Sequence, residues 1–391
     1  MNTRSVAALL IAVIIVGMTA TSTYMLLNIQ RANQLNTITA TYLMYTGFPT
    51  GLRVVSMAPS ITEIVFGLGL EDYLVGCTKY CDYPPKLQSM IASGKVYNNI
   101  NWWNPSLESI IVLKPTLVLL DAGVSAQLKI AEKLLEQGIP FLLLSRGESF
   151  EQIESTIHQL GSFFASATNS RSVEAAQRLV NAMREKINYV NEKISGQQQV
   201  KVLVCVWLDI DKGYLWTTGS PTFLNEIITR AGGINIYNNI NQAWISDNLN
   251  LEKAAHSDPE VIVILDHHGL LDPFEVLNKM ANTPLANTPA CQNNKIFFLR
   301  GQADNLFARP GPRVAEAVEL LAHILFPEIF NASFPDLHVI DDGNYRNYIS
   351  SLILESSSAS CPSCVSQSVC LPSFVPAMSL ARHPLFFSFF V

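Results

Sequence analysis

The sequence predicts an α/β fold: two Rossmann-like βα halves with mainly parallel sheets, joined by a single long helix. Three observations carry this. Leu117 to Leu120 and Phe141 to Leu144 are uninterrupted apolar runs, the signature of strands covered on both faces. Between them Ala126 to Gln137 carries helical periodicity that closes at Gly138, with Pro140 beyond, so the order is strand, helix, strand and the pairing parallel. From 170 to 197, Val173, Ala176, Val180, Met183, Ile187, Val190 and Ile194 recur at steps of three and four, and neither Gly nor Pro intervenes before Gly196. A helix of that length spans about 40 Å at about 1.5 Å per residue. The βα alternation restarts at Val200, which puts the long helix between two patterned halves.

Taken in order, Arg4 precedes an apolar run from Val6 to Met18, matching a secretory signal in charge order and length. Thr19 to Thr23 interrupts it and Tyr24 to Ile29 resumes it, so the whole is long enough to cross a bilayer uncleaved. Residues 1–29 therefore read as a signal peptide or an N-terminal membrane anchor, the anchor preferred, and either exports the body. No Cys follows the run to carry a bacterial-type lipid. Residues 30–51 are a polar spacer rich in Thr and Asn.

The N-terminal α/β domain is assigned to 52–166. Arg53 to Leu70 reads as a buried strand, a turn through Pro59, and a helix in which Ser60 and Glu63 take the spacing of a capping box. Gly67 and Gly69 supply its end. The interdomain helix takes 167–198 and the C-terminal α/β domain 199–329. There Val200 to Trp207 reads as one strand and Pro221 to Gly232 as a helix with Pro at its start. Val261 to Leu265 and Lys295 to Leu299 read as further strands, and Pro312 to Leu325 as a closing helix. Residues 330–391 lose the pattern and read as an irregular tail, ending in the apolar but broken stretch from Pro384 to Val391.

A chain of 391 residues, 49% of them apolar, is long enough for two cores, and a net charge of −6 without Lys or Arg clusters excludes nucleic acid as a partner. Cys361 and Cys364 stand at metal-like spacing with Cys370 beyond, but no second Cys or His pair follows. Cys77 and Cys81 read equally as a disulfide or as free thiols.

Enzyme motifs are missing. Gly67 and Gly69 lack a third glycine and lie at the end of their helix, and neither a Gly-x-Ser-x-Gly nor a phosphate-binding Gly-Lys-Ser loop occurs. Asp266, His267 and His268 follow the strand ending at Leu265, where metal ligands or a base can sit. Adjacent histidines on a loop point different ways, however, and a polar loop is the preferred reading. No metal and no cofactor is expected. The aromatic residues say more. Tyr80, Tyr83, Tyr97, Trp102 and Trp103 crowd the loops of the first half, and Trp216 and Trp244 fall at loop positions in the second. Aromatics usually mean core, yet on loops at a domain junction they offer flat surfaces to a large planar ligand.

Val75-Gly-Cys-Thr-Lys-Tyr80 runs into Cys81-Asp-Tyr-Pro-Pro85, followed by Asn104 to Val118. Leu215-Trp-Thr-Thr-Gly219, Leu251-Glu-Lys-Ala-Ala255, Asp258 to Ile264 and Ala308-Arg-Pro-Gly-Pro-Arg313 follow in the second half. This succession, over residues 52–327, resembles the ABC-transporter substrate-binding proteins of the cobalamin and ferric-siderophore family, the class III periplasmic binding proteins.

The resemblance implies a ligand cleft between the two domains, and one surface glutamate on each, Glu108 and Glu252, facing arginines of a membrane permease. For the cobalamin branch it implies an aromatic cleft with Tyr83, Trp102 and Trp216, joined by Trp103, Trp244 and Asp304. For the ferric-siderophore branch it points to Arg146, Arg300 and Arg309, and for the haem branch to Tyr80 or Tyr83 as iron ligand. The expected protein is an extracytoplasmic monomer that delivers a cobalamin-like corrinoid or related metal chelate to an ABC importer, touches the membrane through its N-terminal segment and performs no chemistry. The alternatives are a ferric siderophore or haem in the same fold, a sensor using the same cleft, and a metal-dependent enzyme built on Asp266, His267 and His268 with His256.

Overall fold

The computed structural model describes residues 51–145, 147–246 and 251–352. The expected N-terminal segment and spacer, Arg146, and Cys361, Cys364 and Cys370 lie outside them. The first sheet contains β1 (Val54–Ser56), β2 (Leu74–Thr78), β3 (Tyr97–Ile100), β4 (Leu117–Asp121) and β5 (Phe141–Leu144), in the order β3-β2-β1-β4-β5 and parallel throughout. Both apolar runs became central or edge strands buried along their whole length. Leu117, Leu119, Leu142 and Leu144 enter one core, while Val118, Leu120, Phe141 and Leu143 enter the other, as a period of two demands. Helices α1 (Pro59–Gly67), α2 (Pro85–Ala92), α3 (Leu107–Ile111) and α4 (Ser125–Glu136) connect these strands.

Helix α5 (Phe150–Phe163) follows, and then α6 (Arg171–Lys193), 23 residues long, where the sequence predicts its long helix. Ala176, Val180, Met183, Ile187 and Val190 form its buried stripe. The second large sheet contains β6 (Val200–Cys205), β9 (Gly233–Asn235), β11 (Val261–Leu265), β12 (Ile296–Leu299) and β13 (Val339–Ile340), ordered β13-β12-β11-β6-β9 and again parallel. A small antiparallel sheet is made by β7 (Trp207–Asp209), β8 (Tyr214–Thr218) and β10 (Trp244–Ile245). The remaining helices are α7 (Phe223–Arg230), α8 (Leu251–His256), α9 (Pro273–Met280), α10 (Pro289–Gln292), α11 (Gln302–Ala308), α12 (Val314–Leu325) and α13 (Pro327–Phe330). One hydrophobic cluster runs from Leu117 and Leu144 of the first sheet, through Ile157 of α5 and Met183 of α6, to Leu320 of α12 and Val263 of β11. The long helix thus sits in a continuous core shared by both halves.

Several expectations change. The strand from Val200 ends at Cys205, because the Val206 N–H donates to the Trp216 carbonyl at 2.9 Å and starts the antiparallel hairpin instead. Thr222, whose hydroxyl accepts from the Asn225 N–H, caps α7, so Pro221 precedes that helix rather than opening it. Residues 330–352 are no irregular tail: Val339–Ile340 pairs with β12, and Tyr345, Tyr348 and Leu352 are buried. Among the described residues no helix is long and apolar enough to cross a membrane.

Helix α12 carries a buried carboxyl, Glu316, whose Oε1 accepts from the Leu352 N–H at 2.7 Å. Burial pushes its pKa from the usual 4.5 up to about 7, against the opposing pull of the Arg313 charge. The native state therefore holds a proton that the unfolded chain has released, so this contribution is complete below pH 4.5 and lost as pH rises through 7. Wild type should lose up to roughly 3 kcal/mol across that window relative to Glu316→Gln, taking 1.36 kcal/mol per unit. Urea midpoints of both proteins at several pH values measure it, and parallel pH curves contradict it.

Candidate functional site

Segments that follow β1 and β2 meet the segment that follows β12, and the carboxyl side of strands is where open α/β sheets bind ligands. Contacts across this junction define it. Glu63 on α1 is 1% exposed and meets Arg313 of the second half as a bidentate pair, Arg313 Nε to Oε2 at 3.1 Å and Nη2 to Oε1 at 2.9 Å. The predicted capping box does not form: the N-cap of α1 is Ala58, without a side-chain cap, and Glu63 points inward to a partner 250 residues away. Arg309 donates to Asp82 Oδ1 at 2.6 Å, to the Tyr80 carbonyl at 3.2 Å and to Glu63 Oε1 at 3.4 Å, and Asn305 Nδ2 donates to Asp82 Oδ2 at 3.1 Å. The motif Ala308 to Arg313 is thus the partner of both the Pro59 turn and the turn after β2.

From the first sheet, the loop after β3 displays Trp102 and Trp103, their rings 4.5 Å apart, with Tyr80 edge-on to Trp102 at 6.2 Å. Asn101 shapes that loop by accepting from the Trp103 and Asn104 N–H groups, both at 3.0 Å. Gln127, fully buried, ties three of the carboxyl-end loops together: it accepts from the Asp121 N–H and donates to the Met57 and Trp102 carbonyls. No motif in the sequence marks Gln127, because its partners are backbone atoms of distant loops.

From the second half comes a wall of tryptophans. Trp207 pairs with Trp216, and Trp244 with Thr218, in antiparallel register. Cross-strand partners share a face, and residues two apart on a strand do too, so Trp207, Trp216 and Trp244 project from one face of the small sheet. They are 47%, 51% and 45% exposed, while Leu208, Leu215 and Ile245 on the other face are buried. Trp216 and Trp244 therefore lie on strands, not on loops as the sequence predicts. Trp207 escapes sequence reading because it looks like the end of the preceding strand. Its signal is the hairpin turn Asp209 to Gly213, which reverses the chain.

Gly219 makes the third strand possible. A Cβ there would lie 2.2 Å from the Gln242 carbonyl oxygen and 2.5 Å from that of Ile240. Gly219→Ala is accordingly expected to push away the segment bearing Trp244 and lower the melting temperature. Differential scanning calorimetry checks this, and an unchanged melting temperature contradicts it.

Other predicted residues fall elsewhere. Tyr83 is buried with its ring 3.7 Å below the Arg313 guanidinium carbon, so it braces that ion pair instead of offering an open wall or an iron ligand. Asp304 is buried, and its Oδ2 lies 2.9 Å from His267 Nδ1. His267 titrates above the usual imidazole value: burial opposes the charged form, but the Asp304 carboxylate and the Val206 carbonyl outweigh it. Asp266 binds Arg300 Nε at 2.8 Å and accepts from the Leu270 and Leu271 N–H groups. These groups hold a loop in place, and among the described residues no three His, Cys, Asp or Glu converge as a metal site. Cys77 and Cys81 are buried free thiols, and Cys81 Sγ lies 3.2 Å from the hydroxyls of Thr62 and Thr78.

Glu108 and Glu252 are both exposed, in the first turns of α3 and α8. Two surface hollows lie away from the tryptophans. One, of about 490 Å³, is framed by the end of α1 and the start of α6, and the other, of about 500 Å³, is lined by Tyr237, Glu252 and His256.

Two parallel sheets joined through Glu63 and Arg313, with exposed aromatic rings on a loop of the first half and on the small sheet of the second, define an α/β protein of two halves. The chain belongs to the periplasmic binding protein family, whose model matches residues 54–303. It is 28% identical over 287 residues to the uncharacterized ABC transporter substrate-binding lipoprotein YvrC of Bacillus subtilis, covering 71% of this chain and 81% of that one. It is also 28% identical over 274 residues to a vitamin B12-binding protein of Photorhabdus laumondii, covering 70% and 88%. Among solved structures it resembles the periplasmic heme-binding protein RhuT of Roseiflexus sp. RS-1 in apo form, with a TM-score of 0.57 at 25% identity over 71% of this chain and 99% of that one. The periplasmic vitamin B12-binding protein BtuF of Vibrio cholerae shares the fold, with a TM-score of 0.54 at 23% identity over 72% and 98%.

Proposed function

We propose that the protein works outside the cytoplasm as the substrate-binding component of an ABC importer, and that its ligand is a cobalamin-like corrinoid. One observation carries the choice of ligand: the aromatic surfaces stand open while Arg300 and Arg309, two of the three arginines expected for an anionic chelate, are already paired. Trp207, Trp216 and Trp244 form one half-exposed face. Arg300 is paired with Asp266, and Arg309 with Asp82 and Glu63. A large, weakly charged macrocycle suits rings, whereas a polyanionic ferric complex needs unpaired guanidinium groups. Trp102 Nε1 and Asp304 Oδ1 add a buried donor and a buried acceptor without a partner among the described residues. The B12-binding relatives agree with this reading. Glu108 and Glu252 are its permease contacts, exposed carboxylates able to form charge-assisted pairs with arginines. The shared core around α6 favours a near-rigid cleft. Capture and release, with no catalysis, is the activity.

The test is parallel titration of the purified protein with cyanocobalamin, haem and a ferric siderophore, followed by Trp102→Ala and Trp216→Ala. Each substitution should weaken corrinoid binding by roughly 1–3 kcal/mol, the scale of a desolvated aromatic anchor. Melting on the same samples separates lost contact from lost packing. Unchanged affinity in both variants removes the cleft assignment, and selective binding of haem or siderophore replaces the ligand.

A further inference from the structure

One side of α12 holds three buried ionisable groups at steps of three, each engaged by a different part of the chain. Arg313, just before its first turn, holds Glu63 of the first half. Glu316 accepts from the Leu352 N–H. Glu319 takes the ammonium of Lys186, from the long helix α6, at 2.6 Å. That last pair is buried on both sides, and a buried ion pair is tolerated only when its remaining hydrogen-bonding capacity is filled. The C-terminal segment fills it. Ser350 gives its N–H to Glu319 Oε2 at 2.9 Å, and its hydroxyl lies 3.1 Å from Glu319 Oε1 and 2.5 Å from Lys186 Nζ. Its carbonyl accepts from the same ammonium. Tyr345, Tyr348 and Leu352 anchor the segment in the cluster that contains Met183, Ile187 and Val190 of α6. Tyr348 stacks on Phe334 at 4.9 Å and meets His323 of α12 edge-on at 6.4 Å.

We infer that residues 345–352 are a brace that clamps the long helix α6 to α12, fixing the angle between the two halves and so how firmly the cleft holds its ligand. The brace lies beyond residues 54–303, which the family model matches. Its physical basis is mutual dependence: the ion pair needs Ser350 for its hydrogen bonds, and the strand of chain needs the ion pair for its position. While both are in place, α6 cannot tilt against α12 without stripping partners from buried charges. Lys186, Glu319 and Ser350 are positioning residues that touch no ligand. The consequence for ligand retention rests on the function proposed above, whereas the consequence for geometry does not.

The test uses the full chain with spin labels introduced as keto amino acids at the exposed positions Lys129 and Glu275, one on each half. Two variants are compared with wild type. Lys186→Met with Glu319→Leu replaces the ion pair by apolar groups of similar size, and Leu352→Asp puts a carboxylate into the apolar cluster that seats the segment. In both, the label-to-label distance distribution should broaden while the protein stays folded, and cyanocobalamin should dissociate several-fold faster. An unchanged distribution in either variant overturns the brace. So does global unfolding of Leu352→Asp, since a segment required for the whole fold is core and not a brace. Broadened distances together with no corrinoid binding even by wild type would keep the brace and discard the ligand.

Discussion

Glu63→Ala should destabilise the protein by about 3–5 kcal/mol, the scale for leaving one member of a buried ion pair without its partner. The carboxylate and Arg313 are both almost fully buried, and Arg313 has Tyr83 packed on its face, so the guanidinium would lose its charged acceptor in a place shielded from bulk solvent. Glu63→Gln should cost less, because an amide oxygen still accepts one of the two hydrogen bonds. Glu63→Leu combined with Arg313→Met should recover much of the loss, since apolar pairs of similar volume often match a buried ion pair in stability. Chemical denaturation of the four proteins measures the series. Equal stabilities for wild type and Glu63→Ala would mean that the pair is not formed in solution. The polar part of the junction between the halves would then rest mainly on Arg309, Asp82 and Asn305.

Reversing both Glu108 and Glu252 to Arg should abolish import while ligand affinity stays close to wild type. Both carboxylates are exposed and sit on short helices, one in each half, so reversal leaves the cores untouched. Against permease arginines each new charge is repulsive, and such mismatches cost several kcal/mol in a close interface. The reversed charges also sit in the first turns of α3 and α8, where a cation is disfavoured, but that effect is about 0.3–1 kcal/mol per site and does not unfold the protein. Uptake with the cognate permease and ATPase, beside affinity measured by tryptophan fluorescence, checks the outcome. Import at the wild-type rate by the double variant would leave the two residues as solvated helix carboxylates.

The two halves show which signals survive in a sequence. Parallel strands buried on both faces write continuous apolar runs, so β4, β5 and β11 were legible residue by residue. The stripe of α6 was legible for a similar reason, since a helix half-buried along 23 residues repeats its pattern six times over. The small sheet was not. Strands of two to five residues are too short for a period to register, and Trp216 and Trp244 looked like loop residues until β8 found its partners. Trp102 and Trp103 were legible because their flanking Asn and Pro fit no regular element, and Asn101 does fold the loop around them. Tyr83 was misread because a tyrosine in a Pro-rich turn gives no sign of the buried guanidinium it will cover.

The sequence alone determined the α/β class, the parallel strands and the long helix, because each is written in local periodicity or in a contiguous motif. Only the tertiary structure decided that Glu63 belongs to Arg313 rather than to its own helix cap, that three tryptophans share one face, and that residues 339–352 complete the second half. Those outcomes depend on partners tens to hundreds of residues apart. A buried charge takes whichever partner folding brings within hydrogen-bonding distance, and nothing in the neighbouring sequence records which one that is.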